Sequence, residues 1–197
     1  SLFGLNERTG IEIEEAAPQI ANEFPVMAAI GQSNNNYTTV QLARYVTAVA
    51  NEGTVYQYTL LNRLEDSDGN VLQTFEPQVR NQIDVLDTEE WNAIHSGMRM
   101  VVENTKEFDG FPIEAAGKTG TAQQNLKRPN HALFVGYAPY DDPEISIATR
   151  IAYGYTSHNA AKLARNVFAY YFNVENEDEL LNGQAANGNS SSNEISD

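Results

Sequence analysis

The stretch from residue 114 to residue 153 constrains the fold most. Its segments 114–122, 131–138 and 145–153 are rich in β-branched, aromatic and small residues, and turn-forming chemistry separates them. Residues 125–130 link the first two, and Asp141-Asp142-Pro143 marks the turn between the second and third. Parallel neighbours need a longer crossover than either link provides. The strands are therefore expected to form an antiparallel meander, with helices on one or both faces. Two further strand segments, 56–64 and 71–75, flank Ser67-Asp68-Gly69-Asn70, a hairpin turn signal.

Helices are signalled by caps and spacing. Thr38 with Gln41 makes a capping box before the stripe Leu42, Tyr45, Val46, Val49 and Ala50, and Gly53 supplies the stop. Asp87 with Glu90 opens a second helix, striped by Trp91, Ile94, His95, Met98, Val101 and Val102. Ser157 is expected to cap a third, whose apolar face runs from Ala160 to Tyr171. His95 lies on an apolar stripe and reads as a packed, hydrogen-bonded histidine. The fold class is α+β, an antiparallel sheet flanked by helices.

Charge narrows function. Asp and Glu number 27 against 12 Lys and Arg, a formal net charge of -15. Phosphate backbones and anionic membrane surfaces are neutralised by clustered cations, so nucleic acid is excluded as a partner and such a surface is disfavoured. Cysteine is absent, which removes disulfides and thiolate chemistry. The histidines His95, His131 and His158 are far apart in sequence, so neither a metal site nor a cofactor is expected. No apolar run approaches the ~20 residues that span a bilayer. The chain opens on Ser1-Leu2-Phe3, which reads as a piece of something longer. Residues 1–172 are expected to fold; residues 173–197, polar, acidic and rich in Asn, Ser and Gly, are expected to be a disordered tail.

Chemistry concentrates at Lys118-Thr119-Gly120-Thr121. On a strand edge these residues suit an extended peptide. Free N–H and C=O groups bind it by β-addition, and Gly120 allows close backbone approach. Lys118 brings a positive charge, and threonine hydroxyls can anchor a carboxylate. Alternation turns Lys118 and Gly120 to one face, Thr119 and Thr121 to the other, unless a bulge intervenes.

The surrounding blocks resemble class B, elongation-type penicillin-binding proteins. The resemblance covers residues 2–172, in order: Phe3-Gly4-Leu5 with Thr9-Gly10-Ile11-Glu12, then Ala29-Ile30-Gly31-Gln32. It continues through Thr39-Val40-Gln41-Leu42-Ala43, Ala50-Asn51-Glu52-Gly53-Thr54, and residues 115–123, 131–139 and 168–172. It implies the C-terminal portion of a D,D-transpeptidase domain, with part of the penicillin-recognising fold shared with serine β-lactamases. In that family a serine attacks the D-alanyl-D-alanine carbonyl of a peptidoglycan stem peptide, an amine resolves the acyl-enzyme, and β-lactams acylate the same serine. By resemblance Lys118 provides positive electrostatics. Thr119, Gly120 and Thr121 bind substrate, and the Thr121 N–H is an oxyanion-hole donor. The resemblance further implies a membrane-anchored, extracytoplasmic parent working with a glycosyltransferase.

One part of the pattern is missing. No Ser-x-x-Lys occurs, so the nucleophile is expected outside these residues and the isolated fragment is expected to be inactive. The Ser-x-Asn triplets beginning at Ser33, Ser157 and Ser191 are read as a loop, a helix cap and tail respectively. Besides an enzyme part, a β-lactam-sensing or non-catalytic peptidoglycan-binding module of the same fold stays open, with a serine β-lactamase the weaker alternative.

Overall fold

A computed structural model describes residues 2–176 and Leu180. Its centre is α2, residues Thr39–Ala50, preceded by the short α1, Pro25–Ala29. The Thr38 side chain accepts from the Gln41 backbone N–H while the Gln41 carboxamide accepts from the Thr38 N–H, the reciprocal box expected from sequence. Asp87 and Glu90 do the same for α3, Thr88–Glu103. On α4, Ser157–Tyr171, the cap is Thr156 rather than Ser157. Both are capping residue types. Thr156 has the extended backbone a cap requires, whereas Ser157 already sits buried in the first turn.

Three antiparallel strands form the main sheet, in the order β5 (Ala116–Ala122), β6 (His131–Ala138) and β7 (Ile145–Ile151). This is the expected meander. Its β6 side chains alternate between two cores. Ala132, Phe134 and Ala138 pack with Ala160, Ala164 and Phe168 of α4. Tyr137, with Ala116 of β5, packs against Val46 and Ala50 of α2. The sheet is thus sandwiched, and α3 lies against the start of β5, where Arg99 Nη1 donates to the Ala115 carbonyl at 3.2 Å. Trp91 of α3 closes a further cluster with Ala48, Val49, Val55 and Ile83. His95 is packed as expected, its Nε2 2.9 Å from the Val49 carbonyl and its ring edge-on to Tyr137.

The expected strand over 56–64 is interrupted. β1, Thr54–Gln57, pairs with β4, Gln78–Gln82, and β2, Arg63–Glu65, pairs with β3, Val71–Thr74. Side-chain chemistry between them takes the groups a continuous ladder would use. The Glu12 carboxylate accepts from Thr59 Oγ1 at 2.5 Å and from the Leu60 N–H at 2.7 Å. The Tyr58 hydroxyl turns to Thr47 Oγ1 at 2.5 Å, which in turn lies 2.6 Å from Ser146 Oγ on β7.

Of the expected tail, the first residues are tied to α4. The Val174 N–H donates to the Ala169 carbonyl at 3.0 Å, and Arg165 pairs with Glu175. Residues 177–179 and 181–197 lie outside the described residues. No helix among the described residues is long and apolar enough to cross a membrane.

Residues 4–15 are held by a buried polar network. Arg44 on α2 is 1% exposed; its Nη2 donates to the Gly4 carbonyl at 2.5 Å and its Nη1 to the Thr9 carbonyl at 3.4 Å. Gln41 Nε2 donates to the Glu7 carbonyl at 2.7 Å. The Glu15 carboxylate accepts from the Thr9 N–H at 2.7 Å and from Thr38 Oγ1 at 3.1 Å. Removing a buried charged donor strands its acceptors, so Arg44→Ala is expected to cost about 3–5 kcal/mol in denaturant unfolding. Glu7 accepts from Arg80 Nε and Nη2 at 2.7 Å each, and this bonding holds its carboxyl below the ordinary 4.5. A carboxyl depressed in the folded state contributes stability above its unfolded pKa and loses it as pH falls through the folded value. Glu7→Gln is therefore expected to lower the melting temperature at neutral pH and to leave it unchanged in strong acid.

Candidate functional site

The site is the outer strand of the main sheet. Among the described residues β5 pairs only with β6, and the register from Ala116↔Tyr137 to Ala122↔His131 is unbroken. Residues directly opposite share a face. Lys118, opposite Val135, and Gly120, opposite Leu133, lie on the α2 side; Thr119, opposite Phe134, and Thr121, opposite Ala132, lie on the α4 side. The alternation expected from sequence therefore holds without a bulge. A ligand laid on the edge is flanked by the lysine from one face and by both threonine hydroxyls from the other.

Two carbonyls identify the free edge. Lys118 Nζ donates to the Thr119 carbonyl at 2.8 Å, and Gln32 Nε2 donates to the Thr121 carbonyl at 3.4 Å. Groups two residues apart on a strand point the same way. In an antiparallel strand a residue's N–H shares the edge of its C=O, which places the Thr121 N–H on this free side too. Lys118 is exposed, and Thr119, Gly120 and Thr121 are half-buried. All four residues singled out in the sequence thus sit together on one accessible edge.

Two glycines on β5 are there for different reasons. A methyl group at Gly117 would run into the Phe134 ring and meet the Val135 carbonyl at 2.8 Å. At Gly120 it would meet only Leu133 Cβ, at 3.5 Å, an ordinary contact. Packing thus requires glycine at 117 and not at 120.

The two serine triplets among the described residues do not join the site. Ser33, at φ 87°, donates to the Glu23 carbonyl at 2.6 Å, Ser157 is buried in the first turn of α4, and Ser191 lies outside the described residues. Gln32 is the residue to which sequence reasoning gave no role. It stood within the Gly31-Gln32 block, and only its contact 89 residues along the chain reveals its place.

A meander sandwiched between helices, with Lys-Thr-Gly-Thr on its outer strand, defines a protein of the penicillin-recognising, serine β-lactamase/transpeptidase-like class. Comparison narrows this further. The sequence matches the penicillin binding protein transpeptidase domain over residues 1–169, and the chain belongs to that family. It is 32% identical to the peptidoglycan D,D-transpeptidase MrdA of Haemophilus influenzae over 87% of this chain and 31% of that one. Among solved structures, penicillin-binding protein 2B of Streptococcus pneumoniae superposes with a TM-score of 0.76 at 24% identity, covering 88% of this chain and 31% of that one. Penicillin-binding protein A of Mycobacterium tuberculosis, solved as its imipenem acyl-enzyme, also gives 0.76, at 22% identity over 87% of this chain and 40% of that one. The chain spans about a third of the length of the Haemophilus influenzae relative.

The two glycines give a direct test of the edge. Gly117→Ala is expected to destabilise the fold by about 1–3 kcal/mol through overpacking. Gly120→Ala is expected to leave unfolding within about 0.5 kcal/mol of the parent. Thermal denaturation of both variants checks this contrast.

Proposed function

We propose that this chain is the substrate-binding portion of a serine-type D,D-transpeptidase that crosslinks peptidoglycan stem peptides and is acylated by β-lactams. The free edge of β5, with the Thr119 and Thr121 carbonyls facing outward, carries the reading. An extended peptide ending in D-alanyl-D-alanine adds to that edge as a further strand. Its terminal carboxylate meets the hydroxyls of Thr119 and Thr121, and Lys118 sets a positive potential from the opposite face. The Thr121 N–H then donates to the oxygen of the scissile carbonyl as it becomes an oxyanion, where a preorganised donor contributes ~3 kcal/mol to the transition state.

The reaction has two halves. A serine oxygen outside these residues forms a bond to the D-alanyl carbonyl carbon, and the terminal D-alanine leaves as its amine takes a proton. An amine of a second stem peptide then attacks the ester and releases the serine with its proton. Residues 1–172 would contribute the binding edge to both halves. The parent would be membrane-anchored, act outside the cytoplasmic membrane and partner a glycosyltransferase.

Intact mass after penicillin treatment tests the assignment, on this chain and on the same chain extended N-terminally. One acyl adduct is expected on the extended protein alone, and its formation should slow about a hundredfold or more in Lys118→Ala. An adduct on the unextended chain would place the nucleophile among Ser33 and its neighbours and overturn the reading.

A further inference from the structure

Residues 19–36 form a lobe that the core does not hold. Across its neck the Gln19 and Asn36 backbones exchange hydrogen bonds at 2.8 and 2.9 Å, α1 lies between its limbs in sequence, and none of its residues is buried. Side chains tie the two limbs together instead. Asn35 Oδ1 accepts from the Ala21 N–H at 2.9 Å, Asn34 Nδ2 donates to Asn22 Oδ1 at 2.7 Å, and Ser33 Oγ donates to the Glu23 carbonyl at 2.6 Å. The lobe is thus braced internally but unpacked, the profile of a unit with low local stability. Among the described residues it makes one hydrogen bond to the main sheet, from Gln32 to Thr121.

The backbone around Gln32 is specialised for that contact. Gly31 at φ 77° and Ser33 at φ 87° put a left-handed residue on either side of it, and at Ser33, which has a side chain, that conformation is strained. The Gln32 N–H donates to the Met27 carbonyl at 2.9 Å, and the Gln32 carbonyl accepts from Asn35 Nδ2 at 3.1 Å. Its main chain is therefore engaged within the lobe, and only the carboxamide is left to act outside it. Strain of this kind persists where something requires it, and the lobe has no buried side chain for it to serve.

The carboxamide meets the carbonyl that a bound residue would use. In an antiparallel sheet a hydrogen-bonded pair of residues exchanges both of its N–H···O=C bonds. A ligand residue whose carbonyl takes the Thr121 N–H therefore presents its own N–H to the Thr121 carbonyl. Gln32 Nε2 already stands there at 3.4 Å. That is longer than the roughly 2.9–3.0 Å usual for such bonds.

We propose that Gln32 is a specificity-determining residue, one that competes with the ligand's own backbone N–H for the Thr121 carbonyl. The inference rests on the reading that β5 binds the stem peptide. A ligand that brings the N–H displaces the carboxamide and gains only the difference between the two bonds. A ligand that lacks it leaves Gln32 in place, and the carbonyl is not stranded out of water. Gln32 thereby narrows the preference of the edge for ligands with an amide N–H beside the attacked carbonyl. It sets how tightly the peptide is held and leaves the oxyanion donor untouched.

The test uses the full-length protein containing these residues and two β-lactams. Benzylpenicillin carries an acylamino N–H one carbon from its lactam carbonyl, the spacing of a backbone N–H from the carbonyl of its own residue. Penicillanic acid is the same bicycle without that group. Acylation time courses over a range of concentrations give Kd and k2 for each. Gln32→Met removes the donor at similar length, and the affinity ratio of benzylpenicillin to penicillanic acid is expected to rise about 2- to 10-fold, in Kd rather than in k2. Gln32→Glu also removes the donor, and its charge acts on both carboxylate-bearing ligands alike, so the ratio should rise there too. A ratio unchanged or lowered in both variants overturns the competition. So does weaker binding of both ligands in step with a lowered melting temperature, the result of a merely structural contact. A fall in benzylpenicillin affinity alone would make Gln32 a direct ligand contact and overturns it as well. If benzylpenicillin forms no adduct on the wild type, the transpeptidase reading itself fails and the competition with it. If it acylates the wild type and the ratio does not move, only the competition fails.

Discussion

The position of the binding edge depends on one buried guanidinium. Arg44 lies on the inner face of α2 and bonds the carbonyls of residues 4–9, which have no regular secondary structure to satisfy them. A carbonyl taken from water without a donor costs on the order of 1–3 kcal/mol, so several satisfied by one side chain weigh heavily in a marginally stable fold. The same helix carries Gln41, whose backbone N–H completes the cap at Thr38 and whose carboxamide holds Glu7. The start of α2 is therefore locked. The loop just before it, bearing Gln32, is delivered to the Thr121 carbonyl. At its other end α2 presents Val46 and Ala50 to Tyr137 and Ala116, fixing the sheet against the same helix. Edge and loop are registered to one another because both are registered to α2.

What the sequence disclosed and what it hid divide along the range of the interactions. Caps at Thr38 and Asp87 were legible because their chemistry closes over three residues. The meander was legible because short links leave antiparallel pairing as the only solution. Arg44 was not, since an arginine in an amphipathic helix ordinarily points to water, and its acceptors lie 35 to 40 residues away. β4 carries Gln78, Val79, Arg80, Asn81 and Gln82, all exposed, and pairs with β1 through its backbone. Its side chains carry no period for a reader to find. The break after β1 depends on the carboxylate of Glu12, 47 residues earlier in the chain. At the site, Lys-Thr-Gly-Thr was visible as a motif, whereas Gln32 acquires meaning only when folding brings distant segments together.

An open edge strand invites pairing with any extended chain, and proteins usually protect such edges with charge or cover. Here β5 keeps its N-terminal half beside α3 and carries an exposed Lys118 at its middle, while Gln32 caps one carbonyl through a single long hydrogen bond. A bond of 3.4 Å is weak and exchangeable, so a peptide N–H approaching the Thr121 carbonyl replaces it at small cost. The edge is thereby guarded against casual pairing without being closed to a ligand that brings its own hydrogen bonds.

The charge distribution adds selectivity to that guard. A net charge of -15 repels most anionic peptides from the chain as a whole. An anionic ligand is drawn in only where the acidic residues thin out, and they are absent from β5 through most of the β5–β7 sheet. Attraction at the site is therefore sharpened by repulsion elsewhere, which serves specificity as directly as a better contact would.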